Sequence, residues 1–330
     1  MAEPTQVTQA VIDDWSLPEP GSSKQARGTI LMVGGSASVP GAMVLAGEAS
    51  LRAGGGRLEV ATTVSVAEQM AVAIPEALVQ RTDEADSGDI APSAADRIVE
   101  LAEDVSAVLL GPGITRPDRA TELLREIVPK LQQQAVVIDA LGSAYVTEDI
   151  EGVRHLDQLA VLTMNPSEVA HALHVDQGRV SDDPLGATLD LARRARAVVL
   201  CGGSEKFVAN PDGEAWQVSR GNPGLAISGS GDVQAGIVTS LLARGASAEQ
   251  AAVGGPGCTG AAVRCWPRPS GRWATSRGSC PESSRTCSPE SIAEASRSVH
   301  GKEPSALHQG AVPWPTSRLV RVCPRRMASP

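Results

Sequence analysis

The sequence predicts an α/β protein in three layers, a mostly parallel central sheet flanked by helices. Three observations carry that expectation. Short apolar runs recur through residues 28–254, each ending at a glycine-rich or polar turn. Stretches of helical periodicity separate many of them. The runs are continuous rather than alternating, as in strands covered on both faces, and the strand–loop–helix repeat is that of a parallel sheet.

The elements follow in order. Thr29-Ile-Leu-Met-Val33 is a buried strand running into Gly34-Gly35-Ser36. Residues 42–52 carry Met43, Leu45, Ala46, Ala49 and Leu51 at helical spacing and stop at Gly54-Gly55-Gly56. Strands at 58–63, 107–110, 135–138, 159–163 and 197–200 follow, the last four running into Gly111-Pro112-Gly113, Asp139-Ala140, Asn165-Pro166 and Cys201-Gly202-Gly203. Residues 119–131 and 187–196 read as helices between them. Asp212-Gly213 reads as a tight turn. In such sheets ligands bind beyond the carboxyl ends of the strands, where these turns fall.

The core must be built from small and aliphatic side chains, because 42% of residues are hydrophobic but only 2% aromatic. A formal charge of −9 argues against nucleic acid or an anionic membrane as the main partner. The first residues lack the basic and apolar regions of a signal peptide, and no apolar run approaches a membrane span, so a cytoplasmic protein is expected. The cysteines form no CxxC pair, and no residue is assigned as a metal ligand.

Three segments are expected: a flexible N-terminal stretch (1–20), a catalytic domain (21–254) and an atypical tail (255–330). The tail holds ten of the 23 prolines and a net charge of about +7, leaving about −16 before it. Its composition fits disorder, and fits still better a GC-rich gene read out of frame. A shift of frame turns one coding of Cys258-Thr-Gly260 into Val-His-Gly.

The chemistry concentrates at Asn222-Pro-Gly-Leu-Ala-Ile-Ser-Gly-Ser-Gly-Asp232. A glycine loop here enters a helix with Val233, Ile237, Val238, Leu241 and Leu242 on one face and Gly245 as its stop. Gly229, Ser230 and Gly231 can aim backbone N–H groups at an anion, aided by the helix dipole. Asp232 stands beside that anion as a base. A helix cap is the plainer reading of Asp232 taken alone.

This stretch resembles the G-N-P-G-M-A-T-G-G-T-G-D-V-L-A-G signature of the ADP-dependent NAD(P)H-hydrate dehydratases, within the ribokinase-like superfamily. Gly34-Gly-Ser36, Pro40-Gly-Ala42, Leu51-Arg-Ala-Gly-Gly-Gly56, Leu110-Gly-Pro-Gly113, Asp139-Ala140 and Asn165-Pro-Ser-Glu168 follow the family's order. The resemblance covers about residues 20–254. It implies a ribokinase-like fold and repair of (6S)-NADHX and NADPHX. ADP would phosphorylate the added hydroxyl and phosphate would then leave, giving NADH or NADPH, AMP and phosphate. It implies ADP as co-substrate, Mg2+, and a homo-oligomer if the C-terminus is intact.

By the same resemblance Asp232 is the base and touches the hydrated cofactor. Gly229, Ser230 and Gly231 form the anion hole. Ala42, Gly113 and Asn165 line the cofactor site. Cys201, Gly202, Gly203, Ser204 and Glu205, with Gly231, border the adenine nucleotide. Two departures stand out. Asn165 replaces a histidine, so hydrogen bonding persists but titration is lost. Cys201 replaces a lysine; a small buried residue is its plainer reading, and Lys206 is a nearby lysine able to return the charge. Glu168 equally suits a helix start. A ribokinase-like kinase of a vitamin-precursor alcohol, or an inactive product with a damaged C-terminus, are the alternatives.

Overall fold

The computed structural model describes residues 3–15, 23–203, 205–218 and 227–265. All lie in the first of two compact units, Met1–Arg268.

Ten strands form one sheet: β1 (Thr5–Gln6), β2 (Thr29–Val33), β3 (Arg57–Thr63), β4 (Leu78–Thr82), β5 (Ala107–Leu110), β6 (Ala135–Asp139), β7 (Ala160–Met164), β8 (Val198–Cys201), β9 (Lys206–Ala209) and β10 (Ala215–Val218). Their order is β1-β10-β9-β8-β7-β6-β5-β2-β3-β4. Pairing is parallel from β4 to β8; β9 joins β8 and β10 antiparallel. The six sequence-predicted strands are present within a residue or so at each end. The expected Asp212-Gly213 turn closes the β9–β10 hairpin, with Gly213 at φ +96°.

Eleven α-helices accompany these strands among the described residues. α1 (Gln9–Asp14), α2 (Gly41–Arg52), α3 (Ala67–Ala73), α10 (Ser230–Ala243) and α11 (Ala248–Cys265) cover one face of the sheet. α4 (Ala95–Ala102), α5 (Pro117–Ile127), α6 (Ser143–Glu148), α7 (Pro166–Leu173), α8 (Gln177–Asp182) and α9 (Pro184–Ala195) cover the other. Each face has its own apolar layer, and Ile30, Leu31, Met32 and Val33 on β2 are wholly buried. That double covering is why the strands read as unbroken apolar runs.

α10 is the central helix. Every residue from Val233 to Ala243 is buried, so the expected one-sided apolar stripe is in fact a helix enclosed all round. Gly236 permits this. A Cβ there would lie 2.1 Å from the Ala46 carbonyl oxygen, which brings α10 directly against α2.

The described residues touch two of the expected segments. Within 1–20, β1 pairs in parallel with β10, Val7 is buried, and Trp15 meets Trp216 edge-to-face at 5.6 Å. The exposed edge of β10 supplies the unpaired backbone groups that hold this segment. At the other boundary, α11 runs past residue 254 to Cys265 with Pro256 inside it. The remainder of the expected tail lies outside the described residues. No described helix is long and apolar enough to cross a membrane.

Candidate active site

Five parallel strands deliver their loops to one edge of the sheet, and glycines let those loops interlock. Gly35 N–H donates to the Pro112 carbonyl at 2.8 Å, and a Cβ at Gly34 would lie 2.2 Å from that same oxygen. Gly113, at φ +75°, sits so close to Val39 that a Cβ would reach its carbonyl at 2.6 Å. Gly111 stands in the same relation to the Asp139 carbonyl, at 2.1 Å. The loops after β2, β5 and β6 thus form one continuous floor. Ala42 is buried in the first turn of α2 above it.

Over this edge stands the N-terminus of α10. Gly229 caps it at φ +87°, a left-handed conformation open to glycine at little cost. A Cβ there would also meet Leu45 Cδ1 at 2.4 Å. Ser230 N–H donates to the Ile227 carbonyl at 3.3 Å, so it serves the turn. A Cβ at Gly231 would meet nothing within 4 Å among the described residues. The helix end is therefore open to a ligand at Gly231, with the dipole favouring an anion.

Asp232 follows on the first turn, half-buried. Among the described residues its carboxylate has no side-chain hydrogen bond or ion pair. Burial raises its pKa, partly countered by its own backbone N–H. A more basic carboxylate is a better proton acceptor.

Two further carboxylates share the edge. Asp139, at the end of β6, is 6% exposed and accepts a 2.6 Å hydrogen bond from Thr163 Oγ1. Burial pushes its pKa up to about 7, with Asp232 and Glu168 adding like-charge repulsion. Glu168, on α7, is likewise raised to about 7 by burial. Ala140, next to Asp139, holds φ +50°, a conformation that costs a non-glycine residue free energy and recurs at functional sites. The sequence reading recognised Asp139-Ala140 as a turn motif but assigned Asp139 no role. Its signal was an aspartate closing a buried strand.

Asn165 caps α7 in a reciprocal box. Its Oδ1 accepts from Glu168 N–H at 3.0 Å, and Glu168 Oε2 accepts from Asn165 N–H at 2.8 Å. The structural reading of Glu168 as a helix start is thus present, and among the described residues the Asn165 amide NH2 has no hydrogen-bond acceptor.

Cys201 ends β8 at 1% exposure, its thiol raised to about 11 chiefly by burial. The side chain belongs to the core, so any ligand contact here must come from backbone. Gly202 and Gly203 continue the edge, Glu205 is exposed, and Ser204 lies outside the described residues. Lys206 folds back beside Gly202, where a Cβ would lie 3.6 Å from Nζ.

A glycine-capped helix, a carboxylate with no side-chain partner among the described residues and an open strand edge form a site that suits an anionic ligand beside a base. The fold matches that of a ribokinase-like superfamily protein from Enterococcus faecalis V583, with TM-score 0.65 at 20% identity over 76% of this chain and 84% of that one. It also matches an ADP/ATP-dependent NAD(P)H-hydrate dehydratase from Bacillus subtilis, with TM-score 0.64 at 22% identity over 81% and 91%.

The chain belongs to the NAD(P)H-hydrate dehydratase family, whose family model matches residues 30–277. It is 39% identical to an ADP-dependent (S)-NAD(P)H-hydrate dehydratase from Xanthomonas campestris pv. campestris, over 76% of this chain and 84% of that protein. It is 33% identical to a bifunctional NAD(P)H-hydrate repair enzyme of Moorella thermoacetica, but spans only 46% of that protein's length.

Proposed function

We propose that this protein repairs hydrated nicotinamide cofactors. Asp232 accepts the proton of the hydrate hydroxyl as its oxygen attacks the β-phosphorus of ADP, and AMP departs. The C–O bond of the phosphate ester then breaks. Phosphate carries away the bond's electron pair, a ring proton is lost, and NADH or NADPH results. Hydroxide is a poor leaving group and phosphate a good one, which is the reason for the detour. In this reading the helix end at Gly229, Ser230 and Gly231 stabilises the charge of the transferred group, with Gly231 the open position and the Ser230 N–H held by the Ile227 carbonyl. Ala42, Gly113 and Asn165 line the hydrated cofactor, and residues 201–205 border the nucleotide.

Mg2+ suits the donors present. Among the described residues no cluster of three or more ligating side chains preforms a cage. Mg2+ typically takes one or two carboxylates plus substrate phosphates and waters. Asp139 and Glu168, two carboxylates at one strand edge of which Glu168 repels the charged form of Asp139, fit that need. A bound divalent ion would offset the negative charge of the phosphates.

The observation that carries this reading is Asp232 at the end of α10, with no side-chain partner among the described residues. Incubation of the full chain with hydrated cofactor, ADP and Mg2+ tests it. Near-ultraviolet absorbance of the reduced nicotinamide should recover with equimolar AMP and phosphate. Transfer of phosphate without recovered absorbance would favour the vitamin-precursor kinase instead, which the family match does not favour.

We further propose that the enzyme works in the cytoplasm as a homo-oligomer, without nucleic acid. Cell fractionation and light scattering on the purified chain check those points. The out-of-frame origin of residues beyond about 254 is proposed from composition, and resequencing the gene decides it. An intact frame would end that proposal.

A further inference from the structure

The ends of β8 and β9 carry a cation that the chemistry above does not use. The register pairs Cys201 with Phe207, which sets Lys206 across from Gly202 at the carboxyl end of β8. Nζ lies back over Gly202, and the absence of a side chain there leaves it room. Lys206 is half-buried, and burial lowers its pKa. Among the described residues it forms no ion pair. The titratable neighbour acting on it is Cys201, whose thiol is neutral at physiological pH. Partly desolvating an ammonium with no counter-charge is costly, and an anionic ligand at this edge would offset that cost.

The charge order along the edge points to the class of anion. Asp139 at the end of β6 feels the charges of Asp232 on α10 and Glu168 on α7, and Glu168 in turn acts on Cys201. The edge is thus acidic at its centre, with the Lys206 ammonium at its β8–β9 end. A bare carboxylate ligand would find one positive group here and little else. A nucleotide lying along Gly202-Gly203 would bring phosphates to an ammonium, with a divalent ion to screen the central carboxylates.

We propose that Lys206 is the phosphate-binding cation of the nucleotide site, supplied from β9 because the end of β8 carries Cys201. The proposal rests on the dehydratase reading for the identity of the nucleotide. Lys206 is a binding residue here, with no part in proton transfer.

Calorimetry on the full-length wild type, Lys206→Met and Lys206→Arg, titrated with ADP at two ionic strengths, tests it. Lys206→Met should weaken ADP binding about tenfold or more, the range of a charge-assisted hydrogen bond. It should also flatten the salt dependence of binding. Lys206→Arg should retain most of the affinity. In turnover, KM for ADP should rise while KM for the hydrated cofactor stays constant. Thermal unfolding of each variant shows whether the fold survives.

Unchanged ADP affinity in a folded Lys206→Met would overturn the proposal and leave the dehydratase reading intact. So would an affinity loss with no change in salt slope, or an arginine variant as weak as methionine. A wild type that fails to bind ADP overturns both.

Discussion

At the scale of single residues, three carboxylates divide the labour by environment. Asp232 is half-buried with no side-chain partner among the described residues, Asp139 is enclosed beside Thr163, and Glu168 is tied into the cap of α7. Asp232→Asn should keep the fold and lower turnover by roughly 10²–10⁴-fold, the usual contribution of a positioned base; cofactor recovery assays on both proteins measure it, and equal rates would remove Asp232 from the chemistry. Asp139 makes a stability prediction. Its native pKa of about 7 lies above the ordinary aspartate value near 4. The native state therefore holds a proton that the unfolded chain releases, and stability falls as pH rises from about 4 through about 7. Asp139→Asn removes that dependence. Its melting temperature relative to wild type should climb between about pH 5 and pH 8 in ligand-free protein, and a constant difference would contradict the burial argument.

At the scale of elements, the site depends on how α10 is held. The helix is buried on every side and crosses α2 at Gly236. Gly236→Ala should drive the helices apart and cost about 1–3 kcal/mol, as overpacked cores do; urea unfolding gives the value. Gly231→Ala is the contrast, since its Cβ meets nothing within 4 Å among the described residues. The Gly236 variant should lose stability and the Gly231 variant should not. The sequence made α10 legible through its glycine start and Gly245 stop. It did not show that the helix is enclosed, because a stripe of large aliphatics looks the same when small residues such as Ala235 and Gly236 pack the opposite side. β4 escaped the reading for a related reason. Leu78-Val-Gln-Arg-Thr82 is an edge strand with little burial, so no apolar run marks it.

At the scale of the whole molecule, residues 3–15 add a tenth strand and a short helix to the sheet. Residues 5–6 extend the sheet at β10, and Trp15 packs on Trp216. Removing the first 15 residues should uncover Trp216 and the edge of β10. The expected outcome is a lower melting temperature and faster amide exchange in β10 than in β6, with the lost aromatic pair alone worth about 0.5–1.5 kcal/mol. Unchanged exchange in β10 would show that the strand needs no cover. Nothing in Thr5-Gln6 marks a strand, since a two-residue pairing is specified by the edge it meets and not by its own pattern.

The sequence by itself determined the layered α/β class, the six buried strands and the turns that close them. It also placed Asp232 at the head of its helix and pointed to the family. Those are local properties: apolar runs, glycine turns and capping chemistry act within a few residues. Tertiary structure alone decided the strand order, the enclosure of α10, the like charges of Glu168 and Asp232 acting on Asp139, and the return of Lys206 to Gly202. Each of these joins residues distant in the chain or on neighbouring strands. Desolvation and charge coupling depend on what the fold brings near, which no local pattern records.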